Sequence, residues 1–243
     1  MRRDCTNEEK THQFTNEDGE LKEMYVPKTE QAADELFGQG IASGINFGKY
    51  DAIPVEVTGD NKPSAIKSFA SAGLRPLLME NITKSGYKVP TPVQKHGIPI
   101  VMAGRDMMAC AQTGSGKTAA FLLPIIHKLM ETEAPSGAGE PSQAPQCVVM
   151  TPTRELAIQI HNEARKFAQG SMVKSVVAYG GTSVFFQASQ LQRGCNILVA
   201  TPGRWETMDY SNFVTLCRRH PPLPAATHPA CQTLEPPGIT VCS

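Results

Sequence analysis

Eight consecutive residues, Ala111, Gln112, Thr113, Gly114, Ser115, Gly116, Lys117 and Thr118, have the types and order of a loop that cradles phosphate. Gly114 and Gly116 let the backbone curl until successive N–H groups point inward at an anion. Lys117 is placed to reach the terminal phosphates and the Thr118 hydroxyl to ligate Mg²⁺. These two are therefore the candidate catalytic residues, and Thr118 the candidate metal ligand. The strict pattern opens with glycine, and Ala111 stands there instead. A glycine-rich turn with a chance lysine is the plainer reading, and context weighs against it. The apolar run Met107-Met-Ala-Cys110 leads in as a strand, and a helical pattern from Thr118 to Met130 leads out. That helix brings its positive dipole end beneath the same phosphates.

A second group lies upstream, in Gly86-Tyr-Lys-Val-Pro-Thr-Pro-Val-Gln94. The Gln94 amide offers an acceptor beside its donors, which matches N6 and N7 of adenine and refuses guanine. Phe69, 17 positions before Gly86, is placed to stack on the base. Alone, Phe69 reads more simply as core and Gln94 as helix surface; their company changes that reading.

Periodicity gives the elements that must position these groups. Leu74, Leu77, Leu78 and Ile82 recur at helix spacing in a pattern that starts at Ser68 and stops near Ser85-Gly86. After Pro90-Thr-Pro92 a second helix runs through Val93 and Ile98 towards Val101. Downstream, Cys147 to Met150 reads as strand, and Thr153 to Phe167 as a helix with Leu156, Ile160, Ala164 and Phe167 on one face. Val173 to Tyr179 is strand, Val184 to Leu191 helix, and Asn196 to Ala200 strand. The alternation predicts an α/β fold with a parallel sheet covered on both faces. Each strand ends in a polar, turn-forming signature: Gln112-Thr-Gly, Thr151-Pro-Thr-Arg, Gly180-Gly181 and Thr201-Pro-Gly-Arg204. Ligands of open α/β sheets gather at those ends, so one edge should hold all four. Ile53 to Val57 reads as a short edge strand, with Phe47 and Tyr50 as anchors onto the domain. Glu133 to Gln146, rich in Pro, Gly, Ser and Ala, reads as an exposed insertion.

The formal net charge of zero hides an asymmetry. Residues 1–60 carry 6 Lys+Arg against 13 Asp+Glu, a net of −7; residues 61–204 carry 15 against 7, a net of +8. A basic domain behind an acidic arm suits a polyanionic ligand. The arm is polar, with little periodicity, and reads as flexible. The N-terminus lacks the apolar core of a secretory signal, and no apolar run approaches the ~20 residues that span a bilayer. Seven irregularly spaced cysteines argue for a reducing compartment. The expected division is an acidic arm over 1–60, a domain over 61–204 and an irregular, disordered Pro- and Cys-rich tail over 205–243. In that tail Cys217, His220, His228 and Cys231 have zinc-like spacing, but Pro221 to Pro224 and the lack of apolar neighbours argue against a finger.

The ordered segments around Gln94, Ala111–Thr118, Pro152-Thr-Arg-Glu-Leu-Ala-Ile-Gln159, Gly180-Gly181 and Thr201-Pro-Gly-Arg204 resemble the motifs of DEAD-box RNA helicases. The wording between them, such as Gly104-Arg-Asp-Met-Met-Ala-Cys110, is similar to the Vasa subfamily. The resemblance covers roughly residues 44–204, and in that family Ala is usual at the position of Ala111. It implies an incomplete RecA-like P-loop domain whose segment 67–95 and phosphate loop bind ATP with Mg²⁺. Phe69, Lys88, Gln94 and Ala111 to Thr118 would contact the nucleotide. It also implies that Pro152, Thr153, Arg154, Glu155, Gly180, Gly181, Thr201, Pro202, Gly203 and Arg204 hold single-stranded or duplex RNA by its backbone, without reading sequence. A cytoplasmic location, in perinuclear germ granules, goes with the subfamily, and no membrane is expected as a partner. The Asp-Glu-Ala-Asp strand, the Ser-Ala-Thr motif and the second RecA-like domain do not occur after Arg204. The chain is thus expected to be a helicase family member that does not hydrolyse ATP alone. The alternatives are a non-catalytic nucleotide- and RNA-binding competitor of the complete enzyme, and an unrelated P-loop ATPase.

Overall fold

A computed structural model describes residues 11–15, 21–25, 37, 54–132 and 145–207. In chain order the elements begin with a hairpin of β1 (Thr11–Thr15) and β2 (Leu21–Tyr25). A single 3-10 turn, Phe69–Ala72, precedes α1 (Pro76–Lys84), α2 (Pro92–Met102) and α3 (Lys117–Thr132). Then β3 (Cys147–Met150), α4 (Arg154–Phe167), β4 (Ser175–Ala178), α5 (Val184–Gln192), β5 (Ile197–Ala200) and α6 (Pro202–Thr207) alternate.

The sheet is organised around the strand that comes last. β3 and β4 both pair with β5, in parallel, so that Cys147 and Ser175 stand level with Ile197. Every residue of β5 is buried, because the pleat sends alternate side chains into two different cores. Ile197 and Val199 enter the main core with Leu78, Ile98, Leu122, Ile126, Ile160 and Phe167, drawn from α1 to α4. Leu198 and Ala200 enter a smaller cluster with Ala178, Leu191 and Cys195, closed by α5. The predicted apolar face of α4 is as observed, widened by buried Ala157 and His161.

Three expectations need correction, and one element was unforeseen. Within the acidic arm, read as flexible with little periodicity, lies an antiparallel pair running from Thr11↔Tyr25 to Thr15↔Leu21. Its polar strands hide the alternation, but Asp18-Gly19 between them is a hairpin turn signal that the periodicity argument passed over. Residues 54–57 form no strand. Pro54 has no N–H for a ladder, and Val55 stays exposed. The first helix starts at Pro76 rather than Ser68, because Gly73 takes a left-handed φ of 69° that ends the 3-10 turn. Met107 to Cys110, expected as a strand, runs without regular structure: no described strand lies beside it to complete a ladder, and Met108 is 85% exposed.

The sheet is also not covered on both faces throughout. Val148 and Met150, level with Leu198 and Ala200, remain about two-fifths exposed where α5 does not reach β3. Residues 133–144 and 208–243, and with them most of the expected insertion and the zinc-like cysteines and histidines, lie outside the described residues. Among the described residues no cluster of three or more His, Cys, Asp or Glu could hold a metal, and no helix is long and apolar enough to cross a membrane.

Candidate nucleotide and RNA site

The phosphate loop turns directly into α3, and its resting state is closed on itself. The Lys117 ammonium donates to the carbonyls of Ala111 and, at 3.3 Å, Gln112. Among the described residues the amides of Gly116, Lys117 and Thr118 donate no backbone hydrogen bond, as the first turn of a helix requires. Ser115 is buried, and its hydroxyl has no partner. Free amides, an orphaned buried hydroxyl, a dipole end and a cation held in reserve fit a polyphosphate. The Thr118 hydroxyl, half-buried at the second position of α3, fits the one protein ligand expected for Mg²⁺.

Gln94 supports this loop from below. It is fully buried: its Oε1 accepts from the Thr91 N–H at 2.9 Å, and its Nε2 donates to the Gly116 carbonyl at 3.1 Å. Thr91 adds a 2.7 Å bond from its hydroxyl to the Ser115 carbonyl. Gly116 has φ of 85°, and a Cβ there would run into the Gln94 amide and stand 3.3 Å from the Thr91 hydroxyl. The expected adenine reader is therefore committed to the loop in this state. Thr91 went unnoticed in the sequence, although Thr91-Pro-Val-Gln94 has the spacing of a capping box with proline at the first helical position.

Phe69 lies inward. It is buried in the main core with its ring edge-on to Tyr87, 6.2 Å between centroids, and Tyr87 in turn tilts against Phe167 at 5.8 Å. An aromatic with a core to join gains more by burial than by display. Burial, and next the neighbouring Glu163 carboxylate, push the Tyr87 hydroxyl above its ordinary range. Lys88 is exposed one residue further on.

Of the four strand-end signatures expected on one edge, the three that follow β3, β4 and β5 come together. The Thr151 N–H donates to the Ala200 carbonyl at 2.9 Å and the Thr201 N–H to the Ala178 carbonyl at 3.0 Å, so the three loops leave the sheet side by side. The Thr153 hydroxyl accepts from the Leu156 N–H at 3.3 Å and starts α4, leaving Pro152 and Glu155 exposed beside it. Arg154 lies 4.8 Å over the Tyr179 ring, and its guanidinium meets Gly181, whose φ is 85°. Gly180, Pro202 and Gly203 are exposed, and Thr201 is half-buried. Arg204 is buried, and its Nε and Nη2 donate to the Tyr179 and Thr182 carbonyls at 3.0 and 2.6 Å. That guanidinium holds the Gly180-Gly181 turn from beneath rather than standing in solvent. Gln187, which sequence reasoning missed, shares the task through Nε2 bonds to the Tyr179 carbonyl and the Thr182 hydroxyl.

The model of the DEAD/DEAH box helicase family matches residues 91–218, just over half of the chain. The chain belongs to that family. It is 53% identical over 201 residues to the ATP-dependent RNA helicase vasa of Drosophila melanogaster, covering 82% of this chain and 30% of that protein. It is 55% identical over 183 residues to a probable vasa-like ATP-dependent RNA helicase of Penaeus vannamei, covering 74% and 26%. To the human protein described as probable ATP-dependent RNA helicase DDX4 it is 50% identical over 183 residues, covering 75% and 25%. Within DEAD-box helicases the chain is thus of the Vasa subfamily, with the RecA-like α/β fold, and it spans less than a third of these relatives' length.

Proposed function

We propose that this domain is the first RecA-like unit of an ATP-dependent RNA helicase. It binds ATP with Mg²⁺ on the loop Ala111–Thr118 and holds single-stranded RNA by its backbone along Pro152–Glu155, Gly180-Gly181 and Thr201–Gly203. The observation that carries this reading is the pair of bonds, Thr151 to Ala200 and Thr201 to Ala178, that bring three sequence-distant loops to one edge. Neutral amides, hydroxyls and the Arg154 fork on that edge suit phosphate and carry no base code. Arg204 and Gln187 act as positioning residues for the middle loop.

On the nucleotide side, Lys117 exchanges the Ala111 and Gln112 carbonyls for terminal phosphate oxygens, and the first amides of α3 receive the same phosphates. Bound Mg²⁺ supplies charge neutralisation at the phosphoryl group, with Thr118 as the residue that would hold it. Gln94 reads adenine by turning its amide from Gly116 to the base edge. A cytoplasmic location belongs to this reading.

Competition binding tests it. A labelled ATP analogue should bind in the presence of Mg²⁺, resist GTP, and be lost in Lys117→Ala. Equal displacement by GTP would remove the adenine assignment, and binding undiminished by Lys117→Ala would remove the phosphate-loop assignment.

A further inference from the structure

Phe185 is the most exposed large apolar side chain among the described residues, at 89%. It is not exposed because its surroundings are loose. The first turn of α5 is fixed on both sides of it: the Ser183 hydroxyl accepts from the Phe186 N–H at 3.4 Å, Phe186 is half-buried, and Gln187 is buried on Tyr179 and Thr182. Helical side chains lean back over the turn that precedes them. Phe185 thus stands three residues beyond Thr182, on a helix turn that Gln187 bonds to Tyr179 and Thr182, at the middle of the three loops assigned to RNA backbone.

From this placement we infer that Phe185 is a base-stacking platform for single-stranded RNA, set beside the backbone track. The inference rests on the RNA reading given above and adds a contact to bases where that reading has contacts to phosphate only. A ring with two χ angles on a locked helix turn loses little freedom on binding, and every base offers a π face, so the contact is tolerant of sequence. A protein partner would call for a continuous apolar patch, whereas only Val184, at 38%, extends this one along the chain.

The test compares two 12-nucleotide RNA probes of equal charge, oligouridylate and an abasic ribose-phosphate strand, by fluorescence anisotropy with the 243-residue chain. The unmodified chain should prefer oligouridylate by about tenfold, the scale of one stacked base. Phe185→Ala should lose most of that preference, Phe185→Trp should keep it, and Phe185→Leu should behave like Phe185→Ala. The salt dependence should be the same for all, since no ion pair is touched. Thermal unfolding of Phe185→Ala should match the parent, because the side chain is in solvent. If Phe185→Ala binds both probes as the parent does while Arg154→Gln weakens both, the stacking role is wrong and the RNA reading stands. Retained preference with lost self-association in sedimentation would make Phe185 a protein contact and overturn the proposal. No binding of either probe by the parent overturns both.

Discussion

Two side chains set the behaviour of the site, and each does so by what it is already bound to. Gln94 satisfies the Thr91 N–H and the Gly116 carbonyl from a fully buried position. Gln94→Ala leaves both unsatisfied and should cost about 1–3 kcal/mol in urea denaturation, alongside loss of ATP selectivity. Gly116→Ala should cost a similar amount through its φ of 85° and its collision with that amide. In the Gln94→Ala background Gly116→Ala should cost less, because the collision is gone; additive losses would deny the contact. The arginines of the RNA edge separate in the same way. Arg154→Gln should lower the slope of log affinity against log salt by about 0.7. Arg204→Gln should weaken binding with the slope unchanged, since its charge holds carbonyls and not phosphate. A slope that falls for both would return Arg204 to the phosphate track. None of this division was legible in the sequence, where both arginines sit in strand-end motifs of the same kind. Phosphate loops can be read from residue types. Which of two guanidinium groups faces inward depends on the neighbouring strand, and Tyr179 lies 25 positions before Arg204.

At the scale of elements, α4 is tied to β4 by buried His161, whose Nδ1 meets the half-buried Ser175 hydroxyl at 2.9 Å. Burial, and next the charge of Arg165, hold His161 down to about 4. A group with a folded pKa below its unfolded value favours the unfolded chain once protons become available. Its support is complete above about pH 6.5 and is lost as pH falls towards 4. The loss should reach about 3 kcal/mol by pH 4, and His161→Gln should show a correspondingly flatter acid profile in urea melts. Equal profiles for the two chains would place the acid sensitivity elsewhere. Helices α2 and α4 were legible because period and boundary agree, at the prolines Pro90 and Pro92 and at Thr153, and the three strands because short apolar runs end in turn signals. The segment before the phosphate loop was not. Met107 to Cys110 has the composition of a strand, but a strand is a relation to a neighbour, and no described strand supplies one. The hairpin β1–β2 escaped because Thr11–Thr15 and Leu21–Tyr25 show no period-two alternation in sequence.

For the whole molecule the uncovered surface is the issue. Val148 and Met150 leave apolar area in solvent on β3, an edge of the described sheet. Val148→Thr with Met150→Lys should reduce light scattering of concentrated protein while changing stability little, because both positions are already two-fifths exposed. Scattering that persists would trace association to another face. The 243-residue polypeptide contains no Asp-Glu-Ala-Asp sequence to hold Mg²⁺ and orient water, so it should bind ATP without RNA-stimulated turnover. Turnover that rises with RNA and vanishes in Lys117→Ala would overturn that expectation. The order of strands has a further effect, on biosynthesis. Among the described strands β3 and β4 do not pair with each other, and each pairs with β5. A ribosome that has made residues up to 196 therefore displays the segments of β3 and β4 without the strand that joins them into one sheet. Assembly waits for four residues, Ile197 to Ala200, and then happens at once. Nascent chains arrested shortly before and shortly after this strand leaves the exit tunnel should differ sharply in protease resistance, with no gradual gain as β3 and β4 emerge.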